Sequence, residues 1–580
     1  MLTKNDALSL PVKPGDGPVL LSEVAVAAGV HLDLRCGGNG ICKRCQVKWE
    51  GQEVLACQTS AIHEGVMLIP PSSQVPEEWA VESAFAPPVP RASHPRCRRV
   101  IVRPRLPREL PGTDDWERVC RAAFPDGKRP LATPEMLCKL PAAIEAGAVR
   151  LTLFDDEVID VEAATDKEKP VLGLAIDVGT TTVVVRLMDM ATGEQLALAG
   201  AQNRQVSMGA NVISRIAVGS TGRGLELLQK LVNEKTIVPL IEKCVAQAGA
   251  KGQTIHHAVI GGNTCMAHLL LGLPPKGLGV VPFNAVALAP AAGSGAPLGL
   301  PVNKVECLPA AGAYIGGDVL GGVYAQGLDH SGPPEMLIDV GTNSEIVLRV
   351  GDKLYGASAP AGPAFEGGGL SCGGPAGPGA VTHLRLENGA FQIETYKNTV
   401  PAHICGSAYV DFLALGREHG FISVQGRYQG NIPVPPGVDV SAEEKNALTP
   451  GKRCVLAKGV YIDEQDLALL LQAKAAVLSG VLILLRTAGI LPGDLHTLHV
   501  AGGFGRHLNP AHAVRIALLP SVPLDRIKIV GNTSLSACCC ALLNGQASGE
   551  MRHFARRVRV VELNLEPDFE DSYIDALMMP

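Results

Sequence analysis

An excess of positive charge is missing from this sequence: 51 Lys and Arg stand against 57 Asp and Glu, a net charge of −6. Nucleic-acid proteins usually carry a basic footprint, so that class is excluded. The arginine-rich piece Arg96–Arg108 reads as a local solvated face. Long apolar runs are missing as well. The strongest, around Val477–Leu485, falls far short of the ~20 residues that span a bilayer. Met1–Gly15 is polar and lacks the apolar core of a secretory signal. These absences predict a cytoplasmic protein with no membrane or nucleic-acid partner. A reducing cytosol disfavours disulfides, so the 16 cysteines call for another explanation.

What is present is chain length, small residues and apolar bulk. At 580 residues more than one domain is expected. With 65 Gly and 43 Pro, turns and loops should outnumber long helical rods. Five segments follow. Residues 1–70 form one unit, with helical spacing over Val19–Val30 and a strand–turn–strand in "CQVKWEGQEVLAC". Residues 71–95, rich in Pro, Ser and Ala without a period, read as a linker. Residues 96–168 read as a small α+β domain, residues 169–330 as one lobe of an α/β unit and residues 331–580 as the second lobe.

The first unit carries Cys36, Cys42, Cys45 and Cys57 in the spacing C-x5-C-x2-C-x11-C. Four thiolates satisfy a [2Fe–2S] cluster. Gly37, Gly38 and Gly40 let the loop wrap it and aim amide N–H groups at its sulfurs. Four thiolates also suit structural zinc, but zinc sites more often pair two short CxxC knuckles, and only Cys42–Cys45 is one. The remaining cysteines make no second site. Cys538, Cys539 and Cys540 are consecutive and fan around a helix. Cys265, Cys372 and Cys405 read as packing residues, and His94, His256 and His257 lack ligand partners at suitable spacing.

The second half repeats the words "IDVGT" at Ile176–Thr180 and Ile338–Thr342, each between two strands. A repeat at this distance means two similar lobes, not a solenoid. Glycines and hydroxyls in such turns can aim donors at phosphate oxygens. The candidates are Gly179, Thr180, Thr181 and Thr182 in one turn and Gly341, Thr342 and Asn343 in the other. Asp177 and Asp339 would hold Mg²⁺ through waters. A third Gly-rich loop, "VAGGFG", offers Gly502, Gly503 and Gly505 to an adenosine. Glu345 and Glu366 are candidates for orienting water.

This arrangement resembles the superfamily of acetate and sugar kinases, Hsp70 and actin. The resemblance implies two ribonuclease-H-like lobes with ATP between them, over roughly residues 171–580. The whole chain is similar to the reductive activators of corrinoid enzymes. The segments that carry this are "GANVISRI" (Gly209–Ile216), "GNTCMAHLLLG" (Gly262–Gly272), "AGPAFEGGGLSCG" (Ala361–Gly373), "ICGSAYVD" (Ile404–Asp411) and "VAGGFG" (Val500–Gly505). "NRQVSM" before Gly209 departs from the family's wording, so Arg204 and Ser207 receive no role. The resemblance implies a β-grasp ferredoxin-like domain at the N-terminus, a middle α+β domain and a C-terminal actin-like ATPase. It implies one-electron reduction of inactive Co(II) to Co(I) on a corrinoid protein of a methyltransferase system, a low-potential electron donor and a homodimer. Plant-type clusters sit near about −400 mV. Each ~59 mV of uphill gap costs a one-electron transfer tenfold, so ATP must shift the equilibrium. The alternatives are an activator of a radical acyl-CoA dehydratase, a small-molecule kinase, and an ATP-gated electron-transfer module without turnover.

Overall fold

The computed structural model of the chain describes residues 7–14, 17–28, 30, 32, 40, 45–70, 73, 94–165, 167–209, 211–438, 453–503 and 507–580. At the N-terminus a four-stranded sheet runs in the order Leu8–Val12, Gly65–Ile69, Gln46–Trp49, Gln52–Leu55. The hairpin of its last two strands closes over Glu50 and Gly51, both with positive φ, as a two-residue turn requires. The helix here spans Leu21–Ala27, shorter than the apolar spacing predicts. Val19 and Leu20 instead pair with Ala61 and Ser60, so a tertiary ladder overrides helical spacing at the first turn. The linker expected at 71–95 lies outside the described residues except for Ser73, His94 and Pro95.

Residues 97–163 form a three-stranded antiparallel sheet, Cys97–Val102, Val149–Phe154 and Glu157–Ala163, with helices Asp115–Ala123 and Pro134–Glu145 between its first two strands in sequence. Then come two six-stranded sheets built on one plan. In the first, Gln195–Gln202, Thr182–Asp189 and Leu172–Val178 are antiparallel, and Ile255–Gly262 and Lys304–Cys307 continue in parallel, with Gly293–Ser294 at the edge. In the second, Lys353–Ala359, Ser344–Gly351 and Gly332–Asp339 are antiparallel, followed in parallel by Thr497–Ala501 and Ile527–Gly531; Val558–Val560 lies beside the outer strand. The shared order is that of paired ribonuclease-H-like lobes, the actin-like ATPase fold. The central strand Leu172–Val178 is buried along nearly its whole length, which suits its continuous apolar run.

Two helices join the lobes. Gly317–Ala325 packs on Thr533–Leu543, which also covers strands Leu172–Val178 and Ile255–Gly262 of the other lobe. The approach is close because of glycine: a Cβ at Gly321 would meet the Ala537 Cβ at 2.6 Å. The longest helix among the described residues, Glu464–Ala488, corrects the expectation that no apolar segment approaches membrane length. Its most apolar 18-residue window has a mean hydropathy of 2.1. Yet 72% of that window is buried inside the protein, so it is a core helix of the second lobe. Its fully buried Lys474 donates to the carbonyls of Ala576 and Met578 at 2.5 and 2.8 Å.

The reading of Arg96–Arg108 as a solvated face also needs correction at its first residue. Arg98 is exposed and pairs with Asp156, but Arg96 is buried where the middle domain meets the ATPase lobes. It reaches Asp155 at 2.5 Å, Glu306 at 3.2 Å and the Ala541 carbonyl at 3.0 Å. Two carboxylates and a carbonyl around one guanidinium make this a largely buried ion network. Burial opposes ionisation of Glu306, but hydrogen bonding from His257 and the charge of Arg96 more than offset it and bring its pKa down to about 2. In an unfolded chain a glutamate titrates near about 4.3. The native carboxylate therefore stabilises the fold above that pH, and this contribution fades as pH falls from there towards 2. Arg96→Ala leaves the buried Glu306 to Arg552 and His257 alone, and loss of this charge-assisted contact is expected to lower the unfolding free energy at pH 7 by about 1–3 kcal/mol. Chemical denaturation should show the deficit shrinking at pH 3 and partly recovering in Arg96→Ala/Glu306→Gln.

Candidate functional site

The two repeated turns face each other across the cleft between the lobes. Each sits where a central strand ends and its hairpin partner begins. In the first, the Gly179 amide donates to the Thr182 carbonyl at 2.9 Å, and a Cβ at Gly179 would lie 2.8 Å from that same oxygen. Glycine is thus required by a close approach. Thr180 is buried and its hydroxyl accepts from Asn263 Nδ2 at 3.1 Å. Thr181 points across the cleft: its Oγ1 lies 3.4 Å from Thr342 Oγ1 and donates to Glu366 Oε2 at 2.8 Å. Glu366 also accepts from the Thr342 amide at 2.9 Å and its hydroxyl at 3.1 Å. One carboxylate therefore ties both turns together.

Asp177 is held by the opposite lobe. Asn532 Nδ2 donates to Oδ2 at 2.8 Å and Ser534 Oγ to Oδ1 at 2.7 Å. Gly502 backs onto the second aspartate: its φ is +99°, and a Cβ there would lie 2.9 Å from Asp339 Oδ1 and 2.5 Å from the Val340 carbonyl. The third Gly-rich loop thus begins beside the Asp339 turn. Gly503 follows it, and Gly505 lies outside the described residues. Gly341 adjoins Glu366, and Asn343 is half-buried in the same turn.

Charge dominates the site. Asp177, Asp339 and Glu366 are half-buried, as is Asp318 at the start of the helix Gly317–Ala325, while Glu345 is buried. Burial, then the charges of Asp318, Asp177 and Glu366, push Asp339 up to about 8. Burial and Asp177 push Asp318 up to about 7. Burial and the neighbouring carboxylates raise Glu345 well above the usual carboxylate range. Burial also raises Asp177 and Glu366, against the hydrogen bonds that each accepts. Among the described residues no three His, Cys, Asp or Glu side chains converge closely enough to grip a metal directly.

Sequence reasoning missed Asp318, Asn263, Asn532, Ser534 and Arg215. A signal existed for two of them. The tripeptide Gly-Asn-Thr occurs at Gly262–Thr264 and Gly531–Thr533, each time ending a strand and opening a helix. Both asparagines cap their helix while reaching the first turn. Arg215 gave no signal. It is fully buried and donates to the Thr180 carbonyl at 2.5 Å, the Gly209 carbonyl at 2.9 Å and Gln205 Oε1 at 3.1 Å. Burial lowers its pKa to about 10, so it remains a cation behind the turn at neutral pH.

In the N-terminal unit, Cys45 and Cys57 are both buried, and the Ala56 amide donates to the Cys45 carbonyl at 2.9 Å, which brings the two cysteines' strand ends together. Gln58 Nε2 lies 3.8 Å from Cys57 Sγ as a donor. A thiolate pair with an amide at sulfur fits an iron–sulfur donor set. Cys36 and Cys42 lie outside the described residues. The other cysteines behave as packing residues: Cys538 and Cys539 are buried and meet different partners, the Ile176 carbonyl and Arg186.

Residues 334–580 match the family described as "C-terminal domain of RACo the ASKHA domain", and residues 172–331 match "RACo middle region". The chain is 30% identical to the corrinoid activation enzyme RamQ of Eubacterium limosum, over 96% of its own length and 95% of that protein. This chain belongs to the reductive activators of corrinoid proteins. A second relative of these activators, the [Co(II) methylated amine-specific corrinoid protein] reductase of Methanosarcina barkeri, is 24% identical over 67% of this chain and 72% of its own. The solved reductive activator for corrinoid, iron–sulfur protein superposes with a TM-score of 0.74 at 29% identity, covering 97% of this chain and 96% of that one. Within this activator, the paired turns lie in the segments that those two family descriptions cover.

The raised carboxylates have a consequence for stability. A carboxyl with a native pKa of about 8 binds a proton in the folded state that the unfolded state has lost, across the range from ~4 to 8. Folding therefore loses stability as pH climbs through that window. Asp339→Asn removes the penalty. In metal-free buffer its melting temperature should exceed the wild type's by little at pH 5 and by roughly 2–4 °C at pH 8, about 1 kcal/mol. A gap that narrows with rising pH would show that Asp339 is not crowded in this way.

Proposed function

We propose that this protein uses ATP bound between its lobes to deliver one electron to the Co(II) form of a corrinoid protein in a methyltransferase system, returning the cobalt to Co(I). The observation that carries this is the length of the likeness to RamQ, which spans the N-terminal cysteine unit together with both ATPase lobes. A kinase would have no use for the cysteine unit. In this reading Cys36, Cys42, Cys45 and Cys57 would hold a [2Fe–2S] cluster in a ferredoxin-like domain, residues 1–70. When bound, that group supplies one electron near about −400 mV, taken from a low-potential donor.

The chain's own residues do the rest. Thr180, Thr181, Thr182 and Gly179 would meet the phosphates from one lobe, and Gly341, Thr342 and Asn343 from the other. Asp177 and Asp339 would hold Mg²⁺ through its waters, with Asn532 and Ser534 fixing Asp177. Gly502, Gly503 and Gly505 would receive the adenosine side. Glu366 is better placed than Glu345 to orient water, because it lies at the junction of the two turns and retains access to the cleft. Closing Thr181 and Thr342 onto one nucleotide couples the lobes, and a state-dependent interaction of that kind is what can make an uphill transfer possible. A homodimer through the ATPase part completes the reading.

With Co(II) corrinoid protein, a chemical reductant and the purified activator, Co(I) absorption should grow only when Mg·ATP is added. Asp177→Asn should lower phosphate release by about 10–100-fold, as loss of a partner in a metal's outer shell does. Equal Co(I) formation with and without ATP would defeat the coupling.

A further inference from the structure

The segment that sequence reasoning left without a role, Asn203–Met208, lies between the nucleotide turn and the N-terminal domain. Its 3₁₀ turn, Arg204–Ser207, packs against the helix Leu21–Ala27 of that domain. Val206 on this turn belongs to the apolar cluster of Leu21, Ala25, Met67 and Trp49, not to the core of its own lobe. Without the N-terminal domain against it, this side chain would face solvent.

The other side of the segment is fastened to the first turn. Asn203, fully buried, donates to the Gly179 carbonyl at 2.9 Å and through its amide to the Thr181 carbonyl at 2.8 Å. Arg215 bonds the Thr180 carbonyl, the Gly209 carbonyl and Gln205 Oε1 at once. Of three successive carbonyls of the nucleotide turn, two are therefore held by Asn203 of the segment that bears Val206, and the third by Arg215, which itself bonds Gln205 of that segment. No loop of free chain intervenes between the phosphate site and the apolar contact.

We propose that the turn Arg204–Ser207 is a nucleotide-coupled seat for the N-terminal domain, with Val206 as its apolar contact and Asn203 and Arg215 as its link to Gly179–Thr181. The coupling rests on the reading of the cleft as the ATP site; the seat does not. Coupling between sites is reciprocal: whatever ATP does to docking, loss of docking does to ATP affinity.

The test uses the full chain with spin labels on ketone-bearing residues placed at the exposed positions Glu53 and Lys251, which leaves the cysteines untouched. Val206→Asp puts a charge into the apolar contact and should broaden and lengthen the distance between the labels. Val206→Ala, which keeps the contact apolar, should shift it less. Iron content equal to the wild type's shows that the N-terminal domain remains folded. In the same variant the dissociation constant for Mg·ATP should change by at least about fivefold, the low end of coupling between sites. An unchanged distance in Val206→Asp overturns the seat. A lengthened distance with ATP affinity within twofold of wild type overturns the coupling. Failure of the wild type to bind ATP also overturns the coupling, and that result alone removes the nucleotide reading of the cleft.

Discussion

Mutual repulsion among carboxylates at the lobe junction is the constraint on which this structure turns. Asp177, Asp318, Asp339, Glu345 and Glu366 come from both lobes; burial raises all five, and neighbouring carboxylates push Asp318, Asp339 and Glu345 further up. Left to themselves such groups would push the lobes apart or take up protons. Hydrogen bonds hold the cleft together: Asn532 and Ser534 reach across to Asp177, and Thr181 reaches across to Glu366, which also accepts from Thr342 of its own lobe. On the proposed reading, a divalent cation with its triphosphate would satisfy both halves of this arrangement, the cation discharging the carboxylates and the phosphates taking the hydroxyls and amides.

The rest of the fold keeps that junction connected. The lobes share a core through the helices Gly317–Ala325 and Thr533–Leu543, whose N-terminal ends carry Asp318 and Ser534 to the site. The C-terminal end of the second helix meets the segment His94–Arg96, through which the N-terminal unit is tethered. The same helix thus touches the aspartate clamp at one end and the tether at the other. The turn under Val206 gives the cleft a separate contact with the domain that carries the cysteines.

Legibility in the sequence followed locality. The strand–turn–strand around each "IDVGT" could be read because alternation, glycine and hydroxyls lie within a dozen residues, and the two-lobed plan followed from the repeat. Residues that act from a distance could not be read so. Arg215 is one arginine among many until its burial behind Thr180 is seen, and Asp318 is one acid at a helix start. Asn263 and Asn532 were within reach, since both stand in a repeated Gly-Asn-Thr at a strand end. Glu366 was named for the wrong strength of reason: its sequence context suggests a loop acid, whereas its position bridges the lobes. The apolar helix Glu464–Ala488 shows the limit of hydropathy, because composition alone does not tell a core from a membrane.

Nucleotide and metal, on binding, should discharge the carboxylate crowd. Titration calorimetry of Mg·ATP into the metal-free protein, repeated at pH 7 in buffers of different ionisation enthalpy, counts the protons exchanged on binding. Cation binding to groups held near or above neutrality must expel their protons, so a net release approaching about one proton per site is predicted. Binding with no proton release, or with uptake, would contradict it.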